Sequence, residues 1–332
     1  MELTPAGFQY RVIDPKERLQ IKLRSAAQRA WQAWRVFFGN KLALLGLALL
    51  STYLLMAAVY PLLLGNVWPK GIYNPVTGHD VDIFPHPSPP SSRHLLGTDT
   101  LGRDVLSMLM AATKPSLQMA FTAALLAAIS GTLVAAFSAY FRGFIDTIFS
   151  HLADLTMLAP APILMVVIGF MWDIDPFEFG VIYGMLVGIG AVSVVLRAYA
   201  ISVLNRTFIQ AAKVAGGGSF HIIFRHLIPH MLPLAAVNML LTVTGAIFAN
   251  GFIAFLGLSR AQLNWGSMIY DSFTYQIING KITWNVLIPA ALAISFFAAS
   301  FYLIALGLQD VVDPRLAQKR EQTEYSARNL RN

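Results

Sequence analysis

The chain has no cysteine among its 332 residues, so it can form neither a disulfide framework nor a thiolate metal centre. Charge is also scarce: Asp, Glu, Lys and Arg make up 12% of the sequence, about half of what a soluble domain carries. No G-x-x-x-x-G-K-[ST] string occurs, which excludes a Walker-type phosphate loop in this chain. G-x-S-x-G and H-E-x-x-H, which would suggest an intramembrane enzyme, are missing as well. The seven histidines are scattered, and His221, His226 and His230 have no acidic residue close by in sequence. They read as helix-end residues and not as a metal site.

What is present is apolar. Hydrophobic residues make up 56% of the chain, and the mean hydropathy is +0.59. A helix needs about 20 apolar residues to cross a bilayer core. Six runs meet that length, near residues 41–64, 115–141, 147–172, 179–204, 230–256 and 285–308. The sharpest carries no charge from Leu42 to Gly65 and would extend about 36 Å as a helix. The sequence therefore predicts an all-α polytopic membrane protein with six transmembrane helices.

Orientation follows from lysine and arginine, which are enriched on cytoplasmic flanks. Of the 24, 18 fall in residues 1–41, 142–146, 197–230 and 309–332. Both termini are expected to be cytoplasmic. The net charge of +7 sits at membrane flanks, where orientation and anionic membrane lipid account for it, with no nucleic acid required. The first 35 residues are polar and basic and the first apolar run exceeds a signal-peptide core, so the mature chain is expected to begin near Met1.

This gives a cytoplasmic amphipathic arm (1–40), a first transmembrane helix (41–65) and an extracytoplasmic segment with an interfacial helix (66–114). A five-helix core (115–308) with a cytoplasmic loop (205–229) and a cytoplasmic tail (309–332) complete the division. In the arm, Leu19, Leu23, Ala27, Ala30, Trp34 and Phe37 recur at helical spacing, with Trp31 and Trp34 suited to headgroup depth. The external segment opens with proline-rich turn chemistry. Asp99 or Thr100 is positioned to cap the helix that follows, whose stripe is Val105, Leu106, Leu109 and Met110. In the fourth span, Gly180, Gly184, Gly188 and Gly190 form a small-residue packing face.

The string LGTDTLGRDVLS at 96–107 resembles the signature near the second span of dipeptide and oligopeptide permease subunits of ATP-binding-cassette importers, in particular the C-type subunit. NKLALLGL at 40–47, FLGL and NWGSMI at 255–258 and 264–269, and DPRL at Asp313–Leu316 are similar to that family's pattern, in the same order. The resemblance implies the type I importer permease fold in a bacterial inner membrane and marks Gly97, Thr98, Asp99, Gly102, Arg103 and Asp104 as an extracytoplasmic motif. It implies a paralogous B-type permease subunit, two cytoplasmic ATPase subunits that hold ATP and Mg, and an extracytoplasmic substrate-binding protein. This chain itself would hold no cofactor and would not be an enzyme.

The same family carries a cytoplasmic coupling loop, the EAA loop. Here Gln210, Ala211 and Ala212 are followed by Gly216, with Ile228 and Pro229 closing the motif and Arg225 lying within it. Small alanines permit close approach to an ATPase groove, and Gly216 permits a sharp turn. Gln210 replaces the family's glutamate, so a charge pair with an ATPase arginine becomes at best a neutral hydrogen bond, roughly half as strong. Asp146 and Asp154 are expected to brace the cytoplasmic end of the bundle, with a proton relay as the alternative; Arg197 reads as a positive-inside anchor.

The expected substrates are di- or oligopeptides, carried by alternating access. A nickel chelate, a sugar or a peptide antibiotic remains an alternative within the same class. An ion-coupled secondary transporter is the alternative from another class, and would call for inverted repeats and midplane charge.

Overall fold

A computed structural model describes residues 24, 28, 31–171, 173–258 and 263–312. The amphipathic arm up to residue 23, the DPRL string and the tail from 313 lie outside the described residues. Helix α1 covers residues 31–39, with Trp31 and Trp34 exposed. Asn40 then caps α2 (Lys41–Leu63): its side chain accepts from the N–H groups of Leu42 at 2.8 Å and Ala43 at 3.1 Å. These are two of the donors that a helix start leaves without partners. α2 runs beside the last helix, α13 (Trp284–Val312), and the two approach closely through small residues. A Cβ added at Gly46 would lie 2.7 Å from the Ser300 carbonyl oxygen.

After the short α3 (Lys70–Tyr73) and an irregular segment, α4 (Val105–Phe141) lies at the centre of the bundle and touches α2, α5, α7, α8 and α11. Its 37 residues make a rod of about 55 Å, well beyond the roughly 30 Å of hydrocarbon. The separate interfacial helix expected before residue 115 is therefore the first part of α4, continuous through Pro115.

The third apolar run is broken. α5 (Gly143–Leu158) and α6 (Ala161–Met171) meet at 77°. Ala159 is extended at φ −108°, ψ 129° ahead of Pro160, as expected for a residue whose helical conformation clashes with the following proline ring. Hydropathy registers the length of this run and not its bend. The fourth crossing is α7 (Pro176–Val187) and α8 (Ser193–Leu204), joined by a wide turn over Gly188–Val192 in which Gly190 leaves helical geometry.

The glycine face of the fourth crossing packs as expected, though against two helices. Gly180, Gly184 and Gly188 press on Met119, Ala123 and Ala127 of α4, while Gly190 faces Thr156 of α5. Then come α9 (Thr207–Val214), α10 (Ser219–Ile222), a wide turn at Ile223–Leu227 and α11 (Ile228–Phe255). α12 (Trp265–Asn279) lies between the last two spans, against α11 and α13. It was not anticipated as a helix, although its Asn264–Ser267 capping box and left-handed Gly280 are local start and stop signals.

Among the described residues five helical rods, α2, α4, α7 with α8, α10 with α11, and α13, are long and apolar enough to cross a membrane, and the bent pair makes six if it is one span. Among the described residues there is no strand, only isolated bridges. One core is built on Tyr53, Trp265 and Phe297, whose rings meet at 5.1 to 5.6 Å. Its buried polar tips are satisfied, with the Trp265 indole N–H donating to Leu109 O at 3.1 Å and the Tyr53 hydroxyl to Ala293 O at 2.7 Å. A second core lies at the basic end of the bundle, which the positive-inside bias assigns to the cytoplasm.

Candidate functional site: the cytoplasmic elbow and the extracytoplasmic knot

The polar passage after α8 folds into an elbow. α9 ends in a Schellman motif: the Gly217 N–H reaches Ala212 O and the Gly216 N–H reaches Lys213 O, both at 3.0 Å. This pattern needs a left-handed residue just past the helix, and Gly216 supplies it at φ +82°. No atom lies within 4 Å of where its Cβ would be, so the demand for glycine there is conformational and not steric.

The second arm of the elbow runs through α10 directly into α11. Its wide turn ends beside Pro229, whose ring has no N–H to give and would crowd the Arg225 carbonyl in a regular helix; loosening the preceding turn relieves both problems.

One side of the elbow is core and the other is bare. Ile209, Ile222, Ile223 and Leu227 are fully buried in the cluster that includes Ala135, Ala136, Ala139, Val203 and Leu204 of α4 and α8. Outward lie Gln210, Ala211, Gly216, Arg225 and Pro229, with Ala212 and Ile228 half-buried. The predicted coupling residues are thus gathered on one projection whose inner face is continuous with the helix bundle. Lys213 Nζ sits 5.6 Å from the centre of the Tyr140 ring, a further tie to α4. The Gln210 amide donates to Leu204 O at 3.3 Å, at the end of α8. A glutamate could not donate there, so the departure from the family's residue has a structural use within the chain.

Residues 97–104 form the interior of a knot in the external segment. His94 lies between two carboxylates: Nδ1 is 2.8 Å from Asp104 Oδ2 and Nε2 is 3.0 Å from Asp80 Oδ2, with all three side chains at most 2% exposed. Arg93 closes on Asp80 at 2.9 Å and on Asp82 at 3.0 Å. Burial by itself would raise the Asp80 carboxyl, but the His94 hydrogen bond, the Asp82 N–H and the Arg93 charge outweigh it, and the net shift is downward. At Asp104 burial wins over the Ser107 N–H and His94, and its carboxyl is raised.

Asp104, and not Asp99 or Thr100, caps α4, accepting from the Ser107 N–H at 2.6 Å. Asp99 is occupied elsewhere: it accepts from the backbone N–H groups of Leu101 and Arg103 and from Arg103 Nε at 2.6 Å. Arg103 in turn reaches Asp271 of α12 at 3.1 Å, and burial, outweighing the Arg103 charge, raises Asp271. Thr98 Oγ1 accepts from the Ser88 N–H at 2.9 Å, and Asn285 at the start of α13 donates to Thr98 O at 2.9 Å.

Gly97, at φ +77°, passes so close to the Ser88 carbonyl that a side chain would collide with it; one at Gly102 would strike His79 and His86. Local sequence marked the six motif residues, but Asp80, His94, Asp271 and Asn285 come from 10 to 187 positions away along the chain. No short-range pattern connects them.

At the cytoplasmic end, Asp146 is held by Ser138 and Arg197. The brace expected of Asp146 is present, and Arg197, read as an anchor, is its partner. Asp154 does not join this network. Among the described residues no group of three or more His, Asp or Glu side chains could hold a metal ion.

Residues 103–318 match the family described as the binding-protein-dependent transport system inner membrane component. Residues 29–79 match the N-terminal transmembrane domain of oligopeptide transport permease C. The chain is 32% identical over 287 residues, 86% of its own length and 85% of the relative's, to the dipeptide transport system permease protein DppC of Bacillus subtilis. A putative peptide permease protein of Brucella suis is 30% identical over 282 residues, covering 84% and 89% of the two chains. With its apolar helices, type I permease architecture and these matches, the chain belongs to the inner-membrane permease family of binding-protein-dependent, ATP-binding-cassette transport systems, as a multi-pass protein of a bacterial inner membrane.

Proposed function

We propose that this chain is one permease subunit of an ATP-driven importer that passes di- or oligopeptides from an extracytoplasmic binding protein into the cytoplasm. The peptide assignment follows the relatives named for dipeptide and peptide transport. The observation that supports the subunit's role best is the elbow. Ile209, Ile222 and Leu227 lock it into the bundle core while Gln210, Ala211 and Arg225 face outward. A projection built this way transmits a push from a partner to the helices and has little freedom to absorb it.

In this reading a B-type permease subunit completes the pathway, and two cytoplasmic ATPase subunits hold ATP and Mg and receive one elbow each. This chain contributes passage and no catalysis. ATP drives the outward-facing state only through its different affinity for the two conformations of the assembly. The motif residues Gly97 to Asp104 keep the external segment folded against α12 and α13, where it covers the outer mouth of the pathway. The side chains of Thr98, Asp99 and Asp104 are turned inward, so the binding protein meets other residues of that segment, such as the exposed Leu101.

The test is reconstitution in proteoliposomes with the partner permease, ATPases and binding protein. ATP-dependent accumulation of a labelled peptide is expected from the full set and not from this chain alone. Uptake by the lone chain under an ion gradient would contradict the reading.

A further inference from the structure

Between α4, α5 and α8 lies a cavity of about 290 Å³ whose wall includes Ser138, Ser150, Asp154, Ser193, Val194 and Arg197. Asp154 lies about 16 Å along α5 from its start at Gly143, within the third apolar run. It is exposed and has no hydrogen bond or ion pair within the described residues. A bare carboxylate on a lipid-facing surface is costly, and such groups face protein or water.

Half of the wall is apolar, from Val134, Ala135, Phe149, Ala153 and Val194, and the polar half carries both a carboxylate and a guanidinium. Arg197 is neutralised by Asp146, which also accepts from the Ser138 hydroxyl. Ser193 spends its proton on Ile189 O, with Gly190 O at 3.0 Å, in the wide turn that interrupts the fourth crossing. Arg197 Nε stays a buried donor with no hydrogen-bond partner; beside it the cavity offers hydroxyl oxygens and the negative charge of Asp154, which no described cation pairs with. That combination suits a group with several N–H donors and a positive charge.

We propose that this cavity is a way-station for a primary ammonium group, with Asp154 as its counter-ion and the serine oxygens as further acceptors. Resting on the peptide-importer reading, the ammonium is the free amino terminus of the passing peptide. A basic side chain of the partner permease seated on Asp154 is the competing occupant.

The absence of cysteine makes the test clean. In the complete reconstituted importer, Val194→Cys places a single thiol in this chain at the cavity wall. Its labelling by a trimethylammonium-ethyl thiosulfonate is compared with labelling by the sulfonate-ethyl analogue, read as the mass of this chain. With each rate divided by the same reagent's rate on a free small thiol, which removes their intrinsic difference, the cationic reagent should be favoured on the order of tenfold. That preference should vanish when Asp154→Asn is added and persist with Asp154→Glu. Failure of both reagents to label would mean that a partner side chain fills the site, and a preference indifferent to Asp154→Asn would mean that the charge is not the determinant; either result overturns the proposal. Loss of the peptide reading alone would show separately, as an importer that labels as expected yet accumulates no peptide.

Discussion

At the residue scale, two positions carry distinct physical demands. Gly216 needs only a left-handed backbone, since the space around it is open. Gly216→Val should therefore cost about 1–2 kcal/mol at the turn and displace the elbow while leaving the bundle folded. The expected outcome is ATP hydrolysis retained and peptide uptake lost, measured side by side in proteoliposomes. His94 is the opposite case, a buried group on which two carboxylates depend. Leaving buried charges without their partner typically costs about 3–5 kcal/mol. His94→Ala should open the external segment to protease added from that side, and unchanged protection would refute the knot.

The pH dependence of the knot has a sign fixed by its two carboxyls. Asp80 is lowered, so its stabilisation is complete above the ordinary aspartate range and is lost as pH falls through its depressed value. Asp104 is raised, and its protonation on the way down favours the folded state. Pepsin cleavage of the segment should therefore start only below the ordinary aspartate range. In Asp80→Asn, protection should already be weaker at neutral pH, read with a serine protease, and pepsin protection should no longer fall through the acidic window.

At the scale of elements, the glycines of the fourth crossing set how closely it approaches α4. A Cβ at Gly184 would lie 2.5 Å from the Ala123 carbonyl oxygen. Gly184→Leu should thus destabilise the bundle by at least the roughly 1–3 kcal/mol of ordinary overpacking, seen as a lower thermal unfolding midpoint. Gly71→Ala, with open space around it, should leave that midpoint unchanged.

Span positions were legible because hydropathy and length are local properties, and the elbow was legible through the resemblance of Gln210 to Ala212, Gly216, Ile228 and Pro229 to the family's coupling-loop pattern. The 77° bend at Pro160 was missed because an apolar window has no sensitivity to direction. The continuity of α4 through Pro115 and the helix α12 were missed for a different reason. Each is amphipathic or mixed in composition and is stabilised by distant partners, such as Leu109 beneath Trp265, which local sequence does not name.

At the scale of the whole molecule, the two ends of the bundle are built differently. The outer end is a network of ion pairs within the external segment and to α12, with Asn285 of α13 hydrogen-bonded to its backbone, and the cytoplasmic end is an apolar core with a bare elbow on top. A stiff outer end and a core-anchored elbow make the chain suited to move as a body when pushed from the cytoplasm. The central claim is that an ATPase subunit does the pushing, and Val214, 90% exposed at the tip of α9, is the place to test it. A benzophenone attached to Val214→Cys, in a chain with no other cysteine, should on illumination of the assembled importer capture the ATPase subunit, with a yield that changes when ATP is bound. Capture of lipid alone, with no ATPase adduct in any nucleotide state, would contradict the account.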